Sequence, residues 1–118
     1  MCSKCVLTTT APSLLQQASA AVFISTLRAN GGDTAHVPTT VVYIKADEIV
    51  MPQDPPTAAS GFFNDVLASN SQVQAVCSGQ PAGGNFTHEG MLCNPLAFAL
   101  AMDAITNGGP SQVSRLNL

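Results

Sequence analysis

Charge is scarce in this chain. Only 9% of its 118 residues are Asp, Glu, Lys or Arg, against about 25% in ordinary soluble domains, while 46% are hydrophobic. So poorly solvated a sequence either sits inside a larger fold or leaves apolar surface for a partner. Long apolar runs are absent too. The longest, Leu96 to Met102, falls well short of the ~20 residues of a membrane span, which argues against a transmembrane segment. The N-terminus, Met1-Cys2-Ser3-Lys4-Cys5, lacks the apolar core of a secretory leader, and taken literally this keeps the chain in the cytosol. Positive charge is rarest: Lys4, Arg28, Lys45 and Arg115 are the only basic residues and lie scattered. No basic patch exists to grip a phosphate backbone, which excludes nucleic acid as a partner.

Four cysteines are present. Cys2 and Cys5 make a C-x-x-C at the extreme N-terminus, without the βαβ setting of a redox site or the further ligands of a zinc site. No metal or other cofactor is expected. Cys77 and Cys93 stand 16 positions apart across a glycine-rich loop. They read better as a disulfide, which would contribute about 3 kcal/mol by restricting the unfolded chain. A disulfide implies an oxidising compartment, at odds with the absent leader.

Residues 12–30 read as a helix, with Pro12 in its first turn and Gly31-Gly32 as its stop. Residues 38–44, rich in Thr, Val, Tyr and Ile, read as a strand buried on both faces. Residues 45–56 form a loop broken by Pro52, Pro55 and Pro56. Residues 61–71 are ambiguous between a short helical turn and loop, and residues 72–77 read as a second strand. Residues 94–107 form a helix, with Asn94 as N-cap, Pro95 in the first turn and Gly108-Gly109-Pro110 as its end. That helix is apolar almost all round and calls for burial. The tail from Pro110 is expected to fray. Strands alternating with helices indicate a parallel α/β sheet, although two strands alone leave both edges bare.

Two residues could carry chemistry. Asp47 follows the end of the first strand, where a carboxylate can fix a histidine's tautomer and stabilise its imidazolium. The bland alternative is an ordinary loop aspartate. His88 follows the glycine-rich loop after the second strand, and its bland alternative is a solvated surface histidine. Acid before histidine is the chain order of the rear two-thirds of an α/β-hydrolase triad. His36, before Pro38, reads as structural or solvated. The front third of a triad, a serine in a G-x-S-x-G elbow, is not in the sequence. Gly109-Pro110-Ser111-Gln112-Val113 lacks the last glycine and follows a helix, so it is rejected. Ser60 and Ser78 precede glycines but lack an elbow, and disulfide pairing argues against Cys77 as a nucleophile. Asn85-Phe86-Thr87 is an N-glycosylation sequon, read as incidental because a glycan would crowd His88.

Several ordered stretches resemble the secreted fungal lipases related to lipase B of Candida antarctica, an α/β-hydrolase family. They are Ala11-Pro12-Ser13 with Gln16-Gln17, Leu27-Arg28-Ala29-Asn30-Gly31-Gly32, and Val37-Pro38-Thr39-Thr40 with Tyr43. Next come Asp47-Glu48-Ile49-Val50 with Pro52-Gln53, Val73-Gln74-Ala75-Val76-Cys77, His88 with Gly90 and Leu92, and Cys93-Asn94-Pro95-Leu96. The resemblance covers residues 11–110, leaving 1–10 unmatched and 111–118 as a tail. It implies the C-terminal part of an α/β-hydrolase, two parallel strands with flanking helices, incomplete as an isolated domain. It also implies that Asp47 orients His88, that His88 is the general base, and that Ile49 and Val50 line an apolar substrate pocket. A Cys77–Cys93 disulfide and an extracellular parent enzyme acting on lipid esters are implied as well. The serine elbow and oxyanion hole would lie upstream, in a missing N-terminal part of the hydrolase that becomes the expected partner. Such a segment should be inactive alone. The competing reading is a small non-catalytic protein that binds lipid or a partner through its apolar helices.

Overall fold

A computed structural model describes residues 11–18, 20–51, 53, 61–63 and 65–118. The expectations for residues 1–10, for Ser60 and for residues 52 and 54–56 of the expected loop lie outside the described residues. The chain divides after Asp33 into two units.

In the first unit the expected single helix is two. Helix α1 covers Pro12–Gln16 and α2 covers Val22–Ala29, and Ala21 between them is extended (φ −67°, ψ 146°). Neither helix buries a residue. Alanine-rich sequence propagates a helix well, but without tertiary packing a short helix is marginal and breaks easily. The stop signal behaves as expected. Gly31 takes φ 79°, Gly31 N–H donates to Arg28 O at 3.0 Å and Gly32 N–H to Leu27 O at 2.8 Å. This pair of bonds satisfies the last carbonyls of α2, and the left-handed turn it needs is cheapest for glycine.

The second unit holds the parallel pair. Strand β1, Thr39–Tyr43, lies beside β2, Ala68–Gln72, in register from Thr39↔Ala68 to Tyr43↔Gln72. Two expectations are corrected here. The second strand is not 72–77: it ends at Gln72, and Val73–Val76 is a single helical turn, α3. The Ala-Ser-Asn-Ser-Gln of β2 has low intrinsic strand preference, and cross-strand pairing overrides it. Its polar side chains also find partners: Asn70 accepts from Phe63 N–H at 3.0 Å and donates to Phe63 O at 2.8 Å. In addition, β1 is half-buried until Tyr43 rather than buried on both faces. Among the described residues the sheet has only these two strands.

The core is formed by Ile44, Val73, Cys77, Leu96 and Leu100, with Val42, Val76, Ala82, Phe86, Met91 and Leu116 packed around it. Ile44 is the first residue past β1, so the segment that leads to Asp47 starts from a fixed point. Helix α4, Pro95–Asn107, presents Leu96, Leu100 and Asp103 inward, the i, i+4 and i+7 positions of one stripe. Its opposite face is not buried: Phe98 is 71% and Ile105 77% exposed. The apolar character all round therefore does not bring burial all round. Asn94 caps α4 as expected. Its Oδ1 accepts from Leu96 N–H (3.0 Å) and Ala97 N–H (3.1 Å), while its Nδ2 donates to Ala82 O at 2.9 Å. Gly108, at φ 64°, ends the helix.

The tail is tied down rather than frayed. Arg115 grips the Asp103 carboxylate through two bonds of 2.8 and 2.6 Å, and Gln112 N–H adds a third at 2.9 Å. The Arg115 guanidinium beside Asp103 holds that carboxyl below its usual range. Buried Ser111 donates its N–H to Thr40 Oγ at 2.8 Å, and its Oγ lies 3.4 Å from Ser69 Oγ. This last segment is thereby sewn across both strands.

Candidate active site

Asp47 lies four residues beyond the end of β1 and is 8% exposed. Its Oδ1 accepts two backbone N–H groups of the following turn, from Ile49 (2.9 Å) and Val50 (2.8 Å). A short acidic side chain that bonds its own downstream backbone builds such a turn locally. With Oδ1 occupied, Oδ2 is held facing outward, 2.9 Å from His88 Nδ1.

His88 opens a 3-10 turn, Glu89–Cys93. That turn is set by Thr87, whose Oγ accepts Gly90 N–H at 3.0 Å and whose carbonyl accepts Met91 N–H at 3.2 Å. The backbone N–H of His88 also donates to the Glu48 carboxylate, at 3.1 and 3.2 Å from its two oxygens. Neighbouring acids therefore hold the histidine twice, Asp47 by the ring and Glu48 by the main chain. The His88 side chain remains 44% exposed.

The two partners polarise each other. Burial pushes the Asp47 carboxyl up, but the N–H groups of Val50 and Ile49 and the His88 ring stabilise its anion, and the outcome lies below the ordinary carboxylate range. The hydrogen bond to Asp47 lifts His88, desolvation opposes it, and the charges of Asp47, Glu48 and Glu89 add to the rise. Carboxylate at Nδ1 keeps the proton on that nitrogen and leaves Nε2 as the basic atom. Chemically the arrangement can take a proton at Nε2 and hold the resulting imidazolium against a fixed anion.

A pH dependence of stability follows. The folded state binds the Asp47 proton less tightly than the unfolded chain does, so this contribution is present above the ordinary value of 3.8 and lost as pH falls through the depressed one. His88 behaves oppositely: its contribution is complete below 6.5 and lost as pH rises through the raised value. Urea unfolding of wild type and Asp47→Asn between about pH 3 and 9 should show the largest wild-type advantage between those two ordinary values, shrinking on both sides. A flat difference would show that the contact does not form.

Ile49 is 67% exposed and Val50 half-buried, both adjoining the acid. His36 is exposed. Cys77, buried in the core, and Cys93, exposed at the end of its turn, both stand as free thiols. Among the described residues no group of three or more His, Cys, Asp or Glu could hold a metal, and no helix is long and apolar enough to cross a membrane. Glu48 was missed as a contact to the histidine. Its adjacency to Asp47 was the only available signal, because His88 is 40 residues away.

No family model matches this chain. Lipase B of Pseudozyma antarctica is 37% identical over 103 residues, which cover 84% of this chain and 28% of that protein. The crystal structure of Aspergillus fumigatus lipase B is similar with a TM-score of 0.83 at 50% identity, covering 90% of this chain and 26% of that one. The chain thus spans about a quarter of the length of these relatives.

Proposed function

This chain belongs to the lipase B family as one stretch of its α/β-hydrolase fold, and from that premise we propose that Asp47 and His88 are the acid and base of a serine-esterase triad that hydrolyses lipid esters in a secreted enzyme. The observation that carries this reading is the 2.9 Å contact between Asp47 Oδ2 and His88 Nδ1. Asp47 fixes the tautomer and stabilises the imidazolium. His88 Nε2 takes the proton of a serine hydroxyl as that oxygen attacks the ester carbonyl, then gives it to the departing alcohol, leaving an acyl-enzyme for water to cleave. Ile49 and Val50, beside the acid, form part of the wall against an apolar acyl or alcohol group. Serine and oxyanion donors come from the remainder of the enzyme.

The 118 residues hold no serine elbow, so the isolated chain lacks the covalent route. Purified chain should give no hydrolysis of short-chain nitrophenyl esters above buffer and no labelling by a fluorophosphonate probe. Turnover that vanishes on His88→Ala would overturn this.

A further inference from the structure

Gln74 is the second residue of α3 and is half-buried. Its terminal amide is bonded at both atoms. Oε1 accepts the backbone N–H of Lys45 at 3.0 Å, and Nε2 donates to the carbonyl of Gly84 at 3.2 Å. Lys45 stands two residues before Asp47 on the segment leaving β1, and Gly84 stands four before His88 on the glycine-rich loop. One side chain therefore joins the two loops that carry the acid and the base.

Its base is firm. Val73 on one side of it is fully buried and Cys77, just past α3, is 6% exposed, both within the core cluster. The glycine-rich loop is also pressed onto the end of this turn: a Cβ on Gly83 would stand 2.0 Å from Cys77 O. From this platform the amide reaches a main-chain donor on one loop and a main-chain acceptor on the other. A terminal carboxamide offers an acceptor and a donor on two separate atoms, which this double contact uses. Asparagine, one methylene shorter, cannot span both, and methionine keeps the length without either polar atom.

We propose that Gln74 is a positioning residue for the acid–base pair, setting the separation of the two loops so that Asp47 Oδ2 stays within hydrogen-bonding distance of His88 Nδ1. This rests on the reading of Asp47 and His88 given above. A hydrogen bond weakens steeply with misalignment, so a small drift of either loop would uncouple the ring from its carboxylate while leaving the core intact.

The test follows the His88 ring by NMR titration in the full chain, comparing wild type with Asp47→Asn, Gln74→Met and Gln74→Asn, with thermal unfolding of each. Asp47→Asn should move the His88 midpoint down toward the ordinary imidazole range. Both Gln74 variants should move it in the same direction by a smaller amount while the protein still unfolds cooperatively. If Asp47→Asn leaves the midpoint unchanged, the acid–base reading itself fails. If Asp47→Asn lowers it and neither Gln74 variant does, the pair stands and the role of Gln74 is overturned. Loss of folding in both Gln74 variants would make the residue a general stabiliser and overturn the proposal as well.

Discussion

Asp47→Asn is expected to lower ester hydrolysis roughly 10⁴-fold when this chain replaces the matching quarter of Aspergillus fumigatus lipase B. The graft is reasonable because the two are 50% identical with a TM-score of 0.83 over 90% of this chain, and the rest of that lipase is where the proposed serine and oxyanion donors would come from. Asparagine can still accept the Ile49 and Val50 N–H groups at Oδ1, so the turn survives. What changes is the atom facing the ring. An amide nitrogen at the Oδ2 position donates rather than accepts, pushing the imidazole into the tautomer whose Nε2 carries the proton and cannot act as a base. His88→Ala in the same graft should cost at least as much. The loss should appear in kcat, since neither change touches bound acyl chain. A graft whose activity falls less than about tenfold on Asp47→Asn would overturn the proposed role of Asp47 as the acid.

The largest effect on stability is expected at Leu100. It is fully buried, at 0% exposure, against Ile44, Val73, Cys77 and Leu96. Leu100→Ala should destabilise the chain by about 2–5 kcal/mol, the lost transfer of the side chain plus the cavity it leaves. Against a typical total of about 5–15 kcal/mol for a whole domain, that is enough to unfold much of a unit with so small a core. Ile105 provides the control on the same helix, since it is 77% exposed and Ile105→Ala should stay within about 0.5 kcal/mol. Urea denaturation of the three proteins checks both. Equal effects at the two positions would mean that α4 packs in another orientation.

The residues differ in how far their placement could be read from sequence. Helix α4 was legible at both ends because its signals are local: Asn94 two and three residues from the N–H groups it caps, and Gly108 in the left-handed turn. Residues 39–43 were legible by composition. Strand β2 was not, because Ser69, Asn70 and Ser71 are stabilised by β1 and by Phe63 rather than by their own preference. The tail was misread for a related reason. The Asp103–Arg115 pair closes 12 residues of chain, and no local pattern announces it. Asp47 and His88 were legible as residue types at loop positions, but their contact joins residues 41 apart and appears only in three dimensions. Gln74, within a segment taken for a strand, gave no sign that its amide would meet two loops. The α2 break and the exposed Phe98 share one cause: apolar or helix-favouring composition does not by itself supply a surface to pack against.

The claim on which the rest depends is that His88 donates its Nδ1 proton to Asp47 and keeps Nε2 free as the base. Long-range ¹⁵N–¹H NMR of the His88 ring, recorded above its titration midpoint, reports directly which nitrogen carries the proton. Wild type should show a protonated Nδ1 and an unprotonated Nε2, with the pattern lost in Asp47→Asn. A proton on Nε2 in wild type, unaltered by Asp47→Asn, would contradict this claim.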